Sequence, residues 1–400
     1  MISVAQALAT ITDAMKPMET ETVALDDALG RVLATDATAN ITQPPVAVSA
    51  MDGYAVMASD VATAPTDLTV IGESAAGHGF DKTVNAGETV RIFTGAPVPQ
   101  GADTIVIQEV TDRDGDRITI KKIPRPGQYV RAVGLDFKKG DALLIAPKRL
   151  SARDLGLAAA MNTPTLNVFK KPRVALLATG DELVMPGETP GPGQIISSNT
   201  ILLAAYVSAM GGEPVNLGIA KDDEDSLRAM VKGAAGTDLL ITIGGASVGD
   251  HDLVRKVLGE EGLNLTFYKV AMRPGKPLIF GALGGTPVLG LPGNPVSVGV
   301  TSVLFLKPAI ETMLGLAPET ELETAKIGCD LPENDQRQDY LRAALSFDKN
   351  GNLTATTFGK QDSSMMAMFT KADCLVIRAP HAGAIKKGDS VEIIRLSGGL

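Results

Sequence analysis

Five short stretches combine acids, bases and glycines in a way that could do chemistry on a charged ligand. They are Thr179-Gly180-Asp181-Glu182, Lys221-Asp222-Asp223, Gly244 to Asp252 (GGASVGDHD), Met272-Arg273-Pro274-Gly275-Lys276-Pro277, and Pro292-Gly293-Asn294-Pro295-Val296-Ser297. Glycine-rich turns let backbone N–H groups approach an anion. Arg273 and Lys276 can neutralise phosphate or another oxyanion. Carboxylates on neighbouring loops can hold Mg2+, which takes a few of them together with substrate phosphates. The combination points to metal-assisted chemistry on a phosphate or phosphoanhydride. Singly, each stretch reads as an ordinary turn, since turns use Gly, Asp and Asn; the succession is the signal. Neither G-x-x-x-x-G-K-[ST] nor a G-x-G-x-x-G opening the first helix occurs, so ordinary NTPase and nicotinamide sites lose support.

Each stretch follows an apolar run: RVALLA, NLGIA, LLITI, FYKVA and VLGL. Such runs are expected of strands buried on both faces. Helical patterns such as NTILLAAYVSAMGG and DSLRAMVKGAA alternate with them, which predicts βαβ units and a parallel, doubly wound sheet. Ligands of such sheets bind outside the carboxyl ends of the strands. The flanks differ. Val4, Leu8 and Ile11 recur at helical spacing before Lys16-Pro17 ends the helix. LTVIGES, ETVRIF, DTIVIQEV and RITIKK then form a small inserted β domain, with a hairpin at Asp114-Gly115. A helix capped by Ser151 precedes the α/β region. Beyond about Thr320, short strands (YLRAALSF, LTATTF, DCLVIRA, SVEIIRL) suggest a barrel or sandwich.

A net charge of −9 argues against broad nucleic-acid binding, which needs basic groups for phosphates. Cys329 and Cys374 lack metal-type spacing, as do His78, His251 and His381. The N-terminus lacks a basic region followed by an apolar core, and no stretch reads as the roughly 18 apolar residues of a membrane span. The expectation is a cytoplasmic protein without nucleic-acid or membrane partners.

Several motifs together, SAMDGYAV (Ser49 to Val56), FTGAPVP (Phe93 to Pro99), TGDEL (Thr179 to Leu183), GGASVGDHD, RPGKP (Arg273 to Pro277) and PGNPVS, strongly resemble the MoeA/gephyrin E-domain family of molybdopterin molybdenumtransferases. The resemblance covers nearly the whole chain. It implies an α/β multidomain protein in four parts. These are a discontinuous N-terminal domain (1–43 and 131–170), an inserted β-rich domain (44–130), an α/β molybdopterin-binding domain (171–318) and a C-terminal β barrel (319–400). It also implies a homodimer whose cleft lies between subunits. The activity implied is insertion of molybdate into adenylylated molybdopterin, with Mg2+-dependent cleavage of the phosphoanhydride and release of AMP. A molybdopterin adenylyltransferase would act upstream, and molybdoenzyme maturation proteins downstream.

Residue by residue, the resemblance makes Asp52 the catalytic carboxylate, with Lys269 and Lys276 as catalytic bases in the electrostatic sense. Thr94, Gly95, Arg131, Asp136, Gly244, Gly245, Ser247, Arg273, Pro292, Asn294, Pro295 and Ser363 become ligand contacts. Glu182, Asp222 and Asp252 become metal ligands. Many relatives carry Lys at the position of Arg273, so a planar fork here replaces a point charge. Without the resemblance, Asp52 would read as a turn Asp before Gly, and Arg131 with Asp136 as a surface ion pair of small value. Two other readings compete. The homologous adenylyltransferase typically shows a TGGTG-type loop, where this chain has Ile243-Gly244-Gly245-Ala246-Ser247. The other is a non-enzymatic dimeric scaffold of the gephyrin E-domain type, against which an intact set of acids and bases argues.

Overall fold

The computed structural model of the chain describes residues 1–244, 253–318 and 321–396. They group into two compact units, Thr22–Leu29 with Thr35–Asn167, and Met1–Glu21 with Gly30–Ala34 and Val168–Leu400. The first segment to Glu21 therefore shares its contacts with the α/β region, whereas sequence reading grouped it with 131–170.

The first unit is built on a six-stranded sheet of β1 (Gly53–Val56), β2 (Thr66–Ser74), β3 (Glu88–Ile92), β4 (Thr104–Ile107), β5 (Thr111–Asp114) and β6 (Arg117–Ile120). Its order is β4-β1-β3-β2-β6-β5. Asp114 pairs with Arg117 across the expected hairpin, where Gly115 takes φ +59°, a turn conformation that glycine adopts without strain. Tyr54, Val56, Val106, Ile118 and Ile120 form a core on one face, and Ala55, Ile92 and Ile105 one on the other. Every residue of β1 is buried, which fixes the chain just after Asp52. The helix Ala152–Ala160 starts as the sequence predicts: Ser151 caps it, in a capping box with Asp154.

In the second unit, α1 (Val4–Ala14) packs Val4, Ala7 and Ile11 into the core of the α/β sheet. That sheet contains β7 (Arg173–Thr179), β8 (Glu213–Ala220), β9 (Leu239–Ile243), β10 (Leu263–Lys269), β11 (Pro277–Leu283) and β12 (Thr286–Leu291). The order is β8-β7-β9-β12-β11-β10. The first four strands are parallel, but β11 is antiparallel to both of its neighbours. This corrects the expectation of a wholly parallel sheet. The overlooked strand is PLIFGAL, joined to β12 by Gly284-Gly285, both at positive φ, which is the backbone a tight two-residue hairpin demands. Because β11 reverses once and β10 reverses again, β10 points the same way as the parallel four. Five carboxyl strand ends therefore share one edge.

The winding is double, and β7 shows it residue by residue. Val174, Leu176 and Ala178 face a cluster that includes α2 (Asn199–Met210), α5 (Pro295–Thr301) and α6 (Lys307–Met313). Ala175 and Leu177 face α3 (Glu224–Lys232) and α4 (Leu253–Glu260) through Leu227, Val231, Val257 and Leu258. Gly211 ends α2 at φ +98°, as a C-cap glycine should. Helix α5, the π-turn segment Ser302–Leu306 and α6 run on as Pro295–Met313, which is long and apolar enough to match a membrane span. Its apolarity has a local cause, since 83% of its most apolar window is buried inside the protein.

The last strands, β13 (Leu322–Ile327), β14 (Gln338–Phe347), β15 (Leu353–Thr357), β16 (Cys374–Arg378) and β17 (Ser390–Arg395), close on themselves in the cycle β14-β15-β13-β17-β16. Closure leaves no unpaired edge. Ala325, Ile327, Ala343, Ala355, Val376 and Ile393 fill it. Because Leu176 is fully buried at the centre of the α/β sheet, Leu176→Ala should destabilise the chain by about 2–5 kcal/mol in urea titration. A loss under about 1 kcal/mol would contradict the packing described.

Candidate functional site

The shared strand edge sorts charge along its length. At one end β8 leads into Asp222 and β7 into Asp181 and Glu182, all exposed. The two loops are tied where the Asp222 N–H donates to Asp181 Oδ1 at 3.2 Å and the Gly180 N–H to the Ala220 carbonyl at 3.2 Å. Gly180 has φ +139°, and a Cβ there would strike the Glu182 carboxylate. The turn therefore requires glycine, and it directs Glu182 back over the strand end. At the middle, Gly244 (φ +87°) receives the end of β9, and its N–H donates to the Leu291 carbonyl at 3.1 Å. Strand order switches sides between β7 and β9, the place where open α/β sheets bind ligands.

Beside it, β12 runs into Pro292, Gly293, Asn294 and Pro295. The Asn294 side-chain amide donates to Ser363 Oγ at 2.8 Å, and the Val296 N–H to the Ser363 carbonyl at 3.0 Å. Ser363 is thus brought to the α/β loops although 69 positions separate it from Asn294. At the far end Lys269 closes β10 opposite Pro277, and Lys276 immediately precedes β11. Both lysines are half-buried, and neither has a carboxylate partner among the described residues. The Lys269 ammonium lies 4.7 Å from the centre of the Tyr268 ring. The edge therefore passes from hard anionic oxygens, through glycine-lined backbone, to two cations.

Arg273 departs from the sequence expectation. Its Nε donates to Asp339 Oδ1 at 2.8 Å, and Nη2 donates to Asp339 Oδ2. Nη1 reaches Asp335 Oδ2 and Nη2 reaches Asn334 Oδ1, each at 3.4 Å. These partners hold its guanidinium even more firmly protonated than usual, Asp339 contributing most. Arg273 is therefore an ion-paired residue, with its side chain still 47% exposed.

Asp52 and Thr94 meet in the first unit. The Thr94 N–H (2.7 Å) and hydroxyl (2.8 Å) both donate to Asp52 Oδ1, which leaves Oδ2 open. The Thr94 backbone bond and then its hydroxyl hold the Asp52 carboxyl below its ordinary range; partial burial opposes them, and Arg91 adds a smaller pull. Sequence reasoning missed Arg91. Its guanidinium sits 5.1 Å and 4.9 Å from the ring centres of Tyr54 and Phe93, and donates to the Gly53 carbonyl and to Gln108. The signal was present as an Arg two residues before FTGAP, but alternation alone makes it a strand residue. Close by, Gly95 (φ +83°), Arg131 and Asp136 line one cleft of about 540 Å³ with Gln43, Pro44 and Pro97. Arg131 and Asp136 do not form the surface ion pair that the bland reading predicted; both side chains are unpaired among the described residues.

Among the described residues, no three His, Cys, Asp or Glu side chains gather closely enough to hold a metal by themselves. Asp252, expected as a ligand, lies outside the described residues, as do Gly245 and Ser247. Glu182 and Asp222 are exposed on adjacent strand ends, a donor set suited to a hard cation that takes its remaining ligands from phosphate and water. Asn199 is a second residue the sequence did not flag. It opens α2, donates from Nδ2 to the Gly293 carbonyl at 2.6 Å, and leaves a buried Oδ1 without a partner among the described residues.

Comparison with known proteins gives the same architecture. Three family models match in chain order: "MoeA N-terminal region (domain I and II)" over residues 2–162, "Probable molybdopterin binding domain" over 175–312, and "MoeA C-terminal region (domain IV)" over 324–396. A protein of Nostoc sp. named molybdopterin molybdenumtransferase is 36% identical over 395 residues, covering 94% of this chain and 89% of its own. One of that name from Haemophilus influenzae is 34% identical, covering 94% of each. A crystal structure described as a molybdopterin biosynthesis MoeA protein from Pyrococcus horikosii has a TM-score of 0.85 at 31% identity, covering 98% of both chains. The fold is thus the α/β multidomain class with a C-terminal barrel. The chain belongs to the MoeA family of molybdopterin molybdenumtransferases.

Because the Asp52 carboxyl is depressed, its charge persists below the usual carboxylate pKa and is lost only as pH falls through the lowered value. Thr94→Val removes one of its two hydrogen bonds and should move the titration midpoint of Asp52 upward. Carbon-13 NMR of the Asp52 carboxyl checks this; an unchanged midpoint would show that the hydroxyl does not act on it.

Proposed function

We propose that this chain is an enzyme of molybdenum cofactor biosynthesis that inserts molybdate into adenylylated molybdopterin, cleaving its phosphoanhydride and releasing AMP. The observation that carries the reading is the charge sequence of the strand edge, with acids at β7 and β8 and, at β10 and β11, lysines that have no carboxylate partner among the described residues. A pyrophosphate with a bound cation and an incoming oxyanion needs those features in that order. The relatives' name, molybdopterin molybdenumtransferase, supports molybdopterin and a molybdenum species as reactants.

In this proposal Glu182 and Asp222, with Asp252, would hold Mg2+. When bound, the ion offsets charge on the phosphoanhydride oxygens. Lys269 and Lys276 position molybdate and balance the charge of the departing AMP. The backbone at Gly244, with the turn from Pro292 to Pro295, seats the ligand where strand order switches sides. Asp52 contributes a fixed anion through Oδ2 because Thr94 occupies Oδ1. Arg131 and Asp136, without partners among the described residues, present one donor group and one acceptor group to the same ligand. The protein works by positioning and electrostatic preorganisation, the dominant contributions at phosphoryl-transfer sites. No protein nucleophile is called for, and Cys374 is buried in the barrel core with its thiol pushed up to about 12.

The proposal includes a homodimer in which a second copy supplies the Asp52 group. It places the enzyme in the cytoplasm, after a molybdopterin adenylyltransferase and before molybdoenzyme maturation. Asp52→Ala should abolish molybdate-dependent AMP release while the chain stays folded by circular dichroism. Lys276→Ala alone should also be inactive. Mixed and re-equilibrated, the two variants should recover about a quarter of wild-type activity, since half the dimers are hybrids and each regains one intact site. Failure of the mixture to regain activity would remove the shared-site dimer, and near-normal turnover by Asp52→Ala would remove Asp52 from the mechanism.

A further inference from the structure

The loop that carries the two cations is closed at its base and pinned at its tip. The Val270 N–H donates to the Lys276 carbonyl at 3.0 Å, and Lys269 pairs with Pro277, so both lysines leave from the base. Gly275 seals the turn at φ +103°, where a Cβ would press on Thr301 and Met272. The tip, Met272-Arg273, lies as a short parallel strand along Gln338-Asp339 at the start of β14, with the Gln338 N–H donating to the Ala271 carbonyl at 2.9 Å. The Arg273 fork and the Asp339 carboxylate meet across this bridge in two parallel N–H···O bonds. Asp339 is 4% exposed, and Asp335 and Asn334 take up the rest of the fork.

We infer that Arg273 is a positioning residue. It clasps the barrel through Asp339 and so fixes where Lys269 and Lys276 present their charges to the molybdate anion. This deepens the reading above and rests on it for the identity of the anion. The guanidinium is suited to the task because a planar fork engages both carboxylate oxygens, which an ammonium cannot do. Loss of either partner frees the tip of the loop, and it leaves an unpaired buried carboxylate at position 339 or unfilled guanidinium donors at position 273. The anion site then loosens although both lysines remain. A direct anion contact behaves differently, since its loss is felt whatever stands at 339.

The test is a double-mutant cycle on the full-length protein with Arg273→Lys, Asp339→Asn and the pair, reading the KM for molybdate and kcat of AMP release. Each single change should raise the KM for molybdate by about tenfold with a smaller effect on kcat, and the pair should be no worse than either single change. A conservative Arg273→Lys that leaves the KM unchanged overturns the inference. So does an Asp339→Asn that leaves it unchanged, or effects of the two changes that simply multiply. Urea unfolding of the same four proteins keeps the question separate from the proposed activity. A non-additive shift in midpoint is expected even if no AMP is released, and additive midpoints would overturn the clasp on their own.

Discussion

The reversed strand β11 is the constraint on which the charged edge of the α/β sheet depends. Without it, β10 would sit directly beside β12 or run the opposite way, and Lys269 and Lys276 would leave from different places. With it, β10 and β12 point the same way and the loop between β10 and β11 returns to the edge shared by β7, β8 and β9. The hairpin that enforces the reversal is two glycines long and leaves no slack in register.

Charge separation along that edge follows from the connectivity. The acids sit at β8 and β7, on one side of the switch in strand order, and the lysines at β10 and β11, at the other end of the sheet. Were they adjacent, they would neutralise one another as ion pairs. Held several strands apart, they do not neutralise one another. The cluster Arg228, Glu224, Glu260, Glu261 and Lys256, by contrast, pairs internally on the helices α3 and α4. Similar residue types in contact form a surface network and no site.

Much of the α/β fold was legible because buried strands are apolar on both faces and a helix such as Asn199–Met210 ends on a recognisable cap, Gly211. PLIFGAL was not legible as a strand, because Pro274, Gly275 and Pro277 mark a loop and the strand begins inside that punctuation. The apolar helix from Pro295 to Met313 has the composition of a membrane span because most of it is buried inside the protein. At the site, single motifs named residues but not their partners. The RPGKP motif named Arg273 but gave no sign of Asp339, 66 positions away, in its fork. Likewise Thr94 and Asp52 lie 42 positions apart, and nothing in either motif states that both donors reach the same oxygen. Long-range pairing of this kind is decided by topology, and periodicity does not encode it.

The chemistry proposed for this site brings an oxyanion to the lysines while a cation-bound phosphoanhydride lies over the carboxylates. Its most direct test mixes the purified protein with adenylylated molybdopterin, Mg2+ and molybdate, and measures AMP by chromatography with and without molybdate. The expected result is AMP release that rises with molybdate, stops on chelation of the metal and consumes no ATP. AMP formation indifferent to molybdate, or none at all from a folded protein, would contradict it.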